Sequence, residues 1–169
     1  MIEHRVVEKM IGLMNREIGQ IQANGKIRSD FITAAVDFLR TYADRTHHGK
    51  EEDILFQVLE KKDLSEKDQN DMNDLIAEHK RARQTVSELV KAEEEYRRGN
   101  EKSLKTVLEK MQMLVNFYPL HIRKEDEEFF PNTEKYFSEQ EQQKMLEAFW
   151  EFDRQMIHEK YRKVVDDWR

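Results

Sequence analysis

A chain of 169 residues with 29 basic and 35 acidic side chains and a net charge of -6 is long enough for one ordinary domain. With no cysteine it can build no disulfide framework, iron–sulfur cluster, thiolate zinc site or cysteine nucleophile. Its charges, 38% of the residues, mix both signs, which speaks against a basic nucleic-acid face.

No stretch reaches the ~20 apolar residues of a membrane span. The charged start, Met1 to Glu8, has no apolar export core, so no membrane is expected and the cytoplasm is the expected compartment. Only 5 glycines and 2 prolines interrupt the chain, and apolar residues recur at the helical period rather than alternating.

The first predicted helix runs from Ile2 to about Gln22. Its stripe is Val7, Ile11, Met14, Ile18 and Ile21, and Asn24-Gly25 stops it. The second starts at a Ser29/Asp30 cap and continues to Lys62, with Val36, Leu39, Ala43, Ile54 and Val58 facing inward. The third opens at Ser65, with Asp68 three residues on as an acidic capping box. It carries Met72, Ile76, Val86 and Val90 and stops at Gly99-Asn100. The fourth carries Leu104, Leu108, Met111, Leu114 and Val115 and ends before Pro131, and Pro119 should kink or split it. The fifth follows Ser138 with Met145, Phe149, Phe152, Met156, Val164 and Trp168.

Short links between long helices make antiparallel neighbours. The expected fold is all-α: an up-and-down four-helix bundle over about 1–131, with a C-terminal helix over about 138–168 packed on it. The whole is read as one domain, 1–169. Trp150 and Trp168 on the last helix are expected to cap the bundle, with a dimer contact as the alternative.

A repeated motif lies within these helices. His47-His48-Gly49-Lys50-Glu51-Glu52-Asp53 and His121-Ile122-Arg123-Lys124-Glu125-Asp126 each place a histidine four residues before a glutamate. Residues four apart share a helix face, so imidazole and carboxylate can reach one metal pair together. His47 and Glu51 fall on the inward stripe of helix two, and His121 and Glu125 extend that of helix four. His4 and His79 sit on the inward sides of helices one and three.

A lone inward histidine is more often a satisfied core residue, and a lone His-x3-Glu is more often solvated surface. Jointly, several buried imidazoles and two carboxylates would cost several kcal/mol each without a cation. The nitrogen and oxygen donor set suits iron, manganese or zinc. Carboxylates that can bridge favour two metals about 3.5–4 Å apart. No histidine has glutamate three residues before it, as the ferritin-like sites require, and His-Glu-x-x-His is absent. His48 is either a further donor or a residue behind the donors, paired on the surface with Glu52. Tyr118 reads as core or as a residue behind the site, the methionines as core, and His158, beside Glu151 and Arg154, as surface.

These residues resemble the hemerythrin family, specifically the hemerythrin-like HHE cation-binding domains. The resemblance rests on Glu3-His4, on the His47 to Asp53 motif, on Glu78-His79-Lys80, and on His121 to Asp126 leading to Phe130-Pro131. It implies an up-and-down bundle holding two non-haem iron ions, oxo- or hydroxo-bridged, with an open position for oxygen; manganese or zinc fits the same donors. Carried over, His4, His47, His79 and His121 would be terminal ligands and Glu51 and Glu125 bridges, with His48 a candidate replacement for an absent imidazole. In the oxygen carriers of the family the third ligand helix carries His-x3-His, whereas Arg83 stands four residues after His79 here. Their last motif is His-x4-carboxylate, whereas both Glu125 and Asp126 are present here, Glu125 lying nearer the His121 face. Both departures weigh against reversible oxygen carriage.

The resulting expectation is a protein that binds oxygen or a related small oxidant in sensing, storage or detoxification. Two alternatives stand beside it: a di-metal enzyme acting on peroxide or another reactive species, and a helical interaction module whose histidines are structural. Metal content separates the last from the others. No protein partner is legible.

Overall fold

The computed structural model describes residues 2–167, with side chains beyond Met156 described only at His158 and Lys160. The described residues form five helical rods and no strand. The first, α1, spans Ile2–Asn24 and buries Val7, Ile11, Met14, Ile18 and Ile21. Gly25 ends it in the left-handed region at φ 66°, which glycine adopts without strain.

The second rod, α2, covers 29–59. It is α-helical over Ser29–Phe38, π-helical over Leu39–His48 and again over Glu51–Leu55, and α-helical over Phe56–Leu59. Ser29 is its first helical residue and not its cap. Arg28 stands in the cap position without a side-chain capping bond, and its guanidinium instead grips the buried Glu17 of α1, with Nε 3.0 Å from Oε1. The π turns wind more residues per turn, as the bond from Gly49 N–H to the Asp44 carbonyl records. They advance the buried face by about one residue. Leu55, Phe56 and Leu59 fill the core where a regular helix would have put Ile54 and Val58, both half-buried.

The third rod, α3, spans Glu66–Arg97 and is capped by Ser65, whose side chain accepts from the Asp68 N–H. The expected capping box closes through a third residue: Ser65 N–H donates to Tyr136 Oη at 2.9 Å, and Tyr136 donates to Asp68 Oδ2 at 2.7 Å. The buried stripe runs through Met72, Leu75, His79, Ala82, Val86 and Leu89, with Ile76 and Val90 at its margin.

The fourth rod, α4, covers 103–133: α-helix over Ser103–Lys124, a π turn over Glu125–Phe129, and helix again over Phe130–Thr133. Pro119 does not split it, because buried Tyr118, His121 and Ile122 hold the turn on either side. Nor does Pro131 end it. The helix restarts at Phe130, and Pro131 falls in that first turn, where a missing N–H costs nothing. The last rod, α5, spans Glu139–Asp167, and Ser138 and Glu141 close a reciprocal capping box at its start.

α1 packs on α2 and α4, and α3 packs on α2 and α4, closing a ring of four. The layer that gathers His4 near the start of α1, His47 late in α2, His79 early in α3 and His121 late in α4 requires the directions to alternate. α5 lies along the π-helical part of α2. A Cβ on Gly49 would stand 2.9 Å from the Phe152 ring, so glycine is what admits this approach. Trp150 is 73% exposed and caps nothing, while Trp168 and the Val164 side chain lie outside the described residues. Among the described residues no helix is long and apolar enough to cross a membrane.

The core has two apolar blocks. One runs from Ile11, Met14 and Ile18 through Leu39, Leu89 and Met111. The other joins Leu55, Phe56, Leu59, Met72, Leu75 and Phe129. Each fully buried aliphatic or aromatic side chain contributes about 1.5–3 kcal/mol, which offsets the polar layer held between the blocks.

Candidate metal centre

That polar layer contains all seven residues singled out from the sequence. His4, His47, His48, Glu51, His79, His121 and Glu125 are each no more than 3% exposed. They divide into two donor groups: His48, His79 and His121 in one, and His4, His47, Glu51 and Glu125 in the other, with the donor atoms of each group within 4.8 Å of one another. His47 and His48 are sequence neighbours, and the π turn is what lets both point inward. In α4 the buried residues His121, Glu125, Phe129 and Thr133 keep a strict spacing of four. A regular helix would rotate that series off its face by about 40° per step, and the π turn over Glu125–Phe129 holds it in place.

The two glutamates face both groups. Glu51 turns Oε1 to His47 Nε2 at 3.6 Å and Oε2 to His79 Nε2 at 3.5 Å. Glu125 turns Oε2 to His4 Nε2 at 3.2 Å, and Oε1 to His121 Nε2 at 3.2 Å and His79 Nε2 at 3.7 Å. The second carboxylate of the pair in sequence, Asp126, lies outside this layer, 2.9 Å from His4 Nδ1.

Every one of the five imidazoles has Nε2 inward and Nδ1 against a carboxylate. The pairs are His4 with Asp126 at 2.9 Å, His47 with Glu3 at 3.0 Å, His48 with Asp44 at 3.3 Å, His79 with Glu52 at 2.7 Å and His121 with Glu78 at 2.8 Å. A carboxylate only accepts, so Nδ1 carries the proton and a neutral ring presents its Nε2 lone pair to the centre. The carboxylates are held in turn by cations: Glu3 by Lys50 at 2.5 Å, Asp126 by Arg5 at 2.6 Å, and Glu78 by Lys124 at 3.2 Å. Arg83 holds two of them, Asp44 and Glu52, each at 2.7 Å. Glu52 therefore serves His79 and Arg83 and does not pair with His48.

The charges follow this wiring. Burial works against a charge on His79, but Glu125 and Glu52 beside it push its pKa up to about 9. Burial and the neighbouring imidazoles drive His48 well below the ordinary value. Burial, with the Glu125 charge close by, raises Glu51. Burial also acts to raise Glu125, yet the imidazoles around it, His4 first, hold it low. Glu3 and Glu52, despite their own burial, are brought down to about 2 by the hydrogen bonds they accept.

The layer is not satisfied by protein groups alone. The Nε2 atoms of His48, His79 and His121 and all four carboxylate oxygens of Glu51 and Glu125 are buried without a hydrogen-bond partner. Leaving a buried polar atom unpaired costs about 1–3 kcal/mol, and a charged one more. The remaining two Nε2 atoms, of His4 and His47, lie 2.9 Å apart. Two donors on one small cation lie about that far apart, since metal–nitrogen distances are about 2.1 Å. The residues present thus fit a pair of cations.

The sequence had pointed to the inward residues through their spacing. It gave no sign of Glu3, Asp44, Glu52, Glu78 and Asp126 as the groups behind the histidines. Glu3 and Glu78 adjoin His4 and His79 in sequence yet serve His47 and His121, a pairing that only the helix packing creates. His158 is exposed and takes no part. Tyr118 is buried in the apolar block above His48.

An all-helical bundle with a buried histidine and carboxylate layer of this wiring is a cation-binding protein. Residues 1–133 match the hemerythrin HHE cation-binding domain, and the chain belongs to that family. No match was found among curated proteins or among solved structures.

Proposed function

We propose that this chain is a dinuclear non-haem iron protein that binds oxygen or a related small oxidant, in sensing, storage or detoxification. The observation that carries this reading is the division of the Glu51 and Glu125 oxygens between two histidine groups. Such carboxylates bridge two ions, and the imidazoles complete each ion's shell. His48, His79 and His121 would hold one ion, and His4 and His47 the other. The second group has one imidazole fewer, which leaves room for a small ligand. Two iron ions bound there supply an open coordination position and electrons for that ligand.

The protein's own residues do the rest. The outer carboxylates fix each ring's tautomer and direction. The apolar blocks above and below limit water. His48 supplies the third imidazole of its group, while Arg83, four residues beyond His79, clamps Asp44 and Glu52 and presents no donor to the centre. Metal analysis of protein purified without added metal tests the reading, and two irons per chain are expected. Anaerobic loading with ferrous iron followed by air should bring up a new absorption band. A single zinc per chain, or two irons with no change on aeration, would overturn it.

A further inference from the structure

The family match ends at residue 133, and α5 lies beyond it. Between α5 and the bundle is a cavity of about 620 Å³. That is within the range of about 300–1,000 Å³ typical of small-molecule sites. Its inner wall includes His47 and Glu51, on the two-histidine side of the metal layer, and its outer wall Phe137, Met145 and Phe149, all outside the match. Segments beyond the family domain have thus enclosed a space against one edge of the centre.

The lining indicates what would fill it. Most of the wall is apolar, with aromatic rings on both sides. The ionised groups at its edge are the carboxylates Glu3, Asp126 and Glu134 and a single cation, Lys50. The Lys50 ammonium is engaged by Glu3 at 2.5 Å and by Asp153 of α5 at 2.8 Å. An anion would meet carboxylates with no uncommitted cation to offset them. A strongly hydrated cation would lose its water against phenyl rings.

We propose that this cavity binds a neutral, largely apolar organic molecule, with one end against His47 and Glu51. Its nearness to metal ions rests on the reading above, whereas the binding itself does not.

The test uses the full chain loaded with zinc and titrated with N-phenyl-1-naphthylamine, a neutral dye that brightens in apolar surroundings. Saturable binding of one dye per chain is expected. Met145→Trp, which fills the space, should weaken it by about tenfold or more, and Leu146→Arg at the half-exposed rim should weaken it several-fold. Circular dichroism identifies which variants are folded, and the rim variant alone suffices if the filled one is not. Absence of saturable binding, or binding unchanged in the folded variants, overturns the proposal. Replacing zinc by iron should quench the bound dye, and unquenched emission with iron loaded overturns its placement beside the centre. If no metal loads, the metal reading fails while dye binding by the metal-free chain still decides the cavity.

Discussion

The imidazoles of His48 and His79 lie face to face, with ring centroids 3.9 Å apart and planes within 8° of each other. One comes from the π turn of α2 and the other from α3. Both aim Nε2 at the same group of donors. His48→Ala should therefore leave that ion with two imidazoles, and bound metal should fall from two ions per chain toward one. Elemental analysis after buffer exchange checks this, with Thr46→Ala as a control on the same turn that removes no donor.

Arg83 acts at one remove. It donates to the two carboxylates that hold His48 and His79. Removing such outer support costs about 10–100-fold in metal affinity. Arg83→Gln should show a loss of that size in competition with a chelator. Arg83→Lys should recover little, because a point ammonium cannot span both carboxylates as the guanidinium fork does.

Metal uptake should be tied to protons. In the metal-free protein His79 stays protonated up to about pH 9, so an ion must displace that proton. Uptake should release acid into weakly buffered solution, and apparent affinity should rise as pH climbs toward about 9. The stability linkage has the opposite sign. The raised pKa stabilises the metal-free fold fully below its ordinary value of 6.5, and that contribution disappears as pH rises through about 9. Melting temperatures of the metal-free chain across this window, against His79→Gln, give the check.

Far from the centre, Asp68 ties the start of α3 to the segment after α4. Hydrogen bonds from Tyr136, Lys135 and Ser65 hold its pKa at about 2, below its ordinary 3.8. A lowered carboxylate stabilises the fold above its unfolded pKa and ceases to as pH falls through the folded one. The stability gap between the native chain and Asp68→Asn should thus be full near neutral pH and close between about pH 4 and pH 2 in urea titrations. Ser65→Ala should cost about 1 kcal/mol through the lost cap.

The bundle and the inward donors were legible because both are written in local spacing. The stripe from Val7 to Ile21 and the pairs His47/Glu51 and His121/Glu125 repeat at one helical turn. What spacing could not carry was any departure from that turn. The π segments of α2 moved the buried face from Ile54 and Val58 to Leu55 and Leu59. They also brought His48 in beside His47, a position that a regular helix leaves undecided. The carboxylates behind the rings were hidden for another reason. Each lies on a different turn or a different helix from its histidine, so neither adjacency nor periodicity links them. Pro119 and Pro131 misled because proline's local penalty gave way to packing at one position and to a helix restart at the other.

The wide turn over Leu39–His48 also sets how easily the centre could be lost. It is a helix with a surplus residue, and its second half runs out of phase with its first. Losing a single codon there would restore the ordinary winding and swing everything downstream by about 100°. Glu51 would leave His47 while the apolar seam fell back onto Ile54 and Val58. A bundle without ions is thus one small deletion away from a bundle with them.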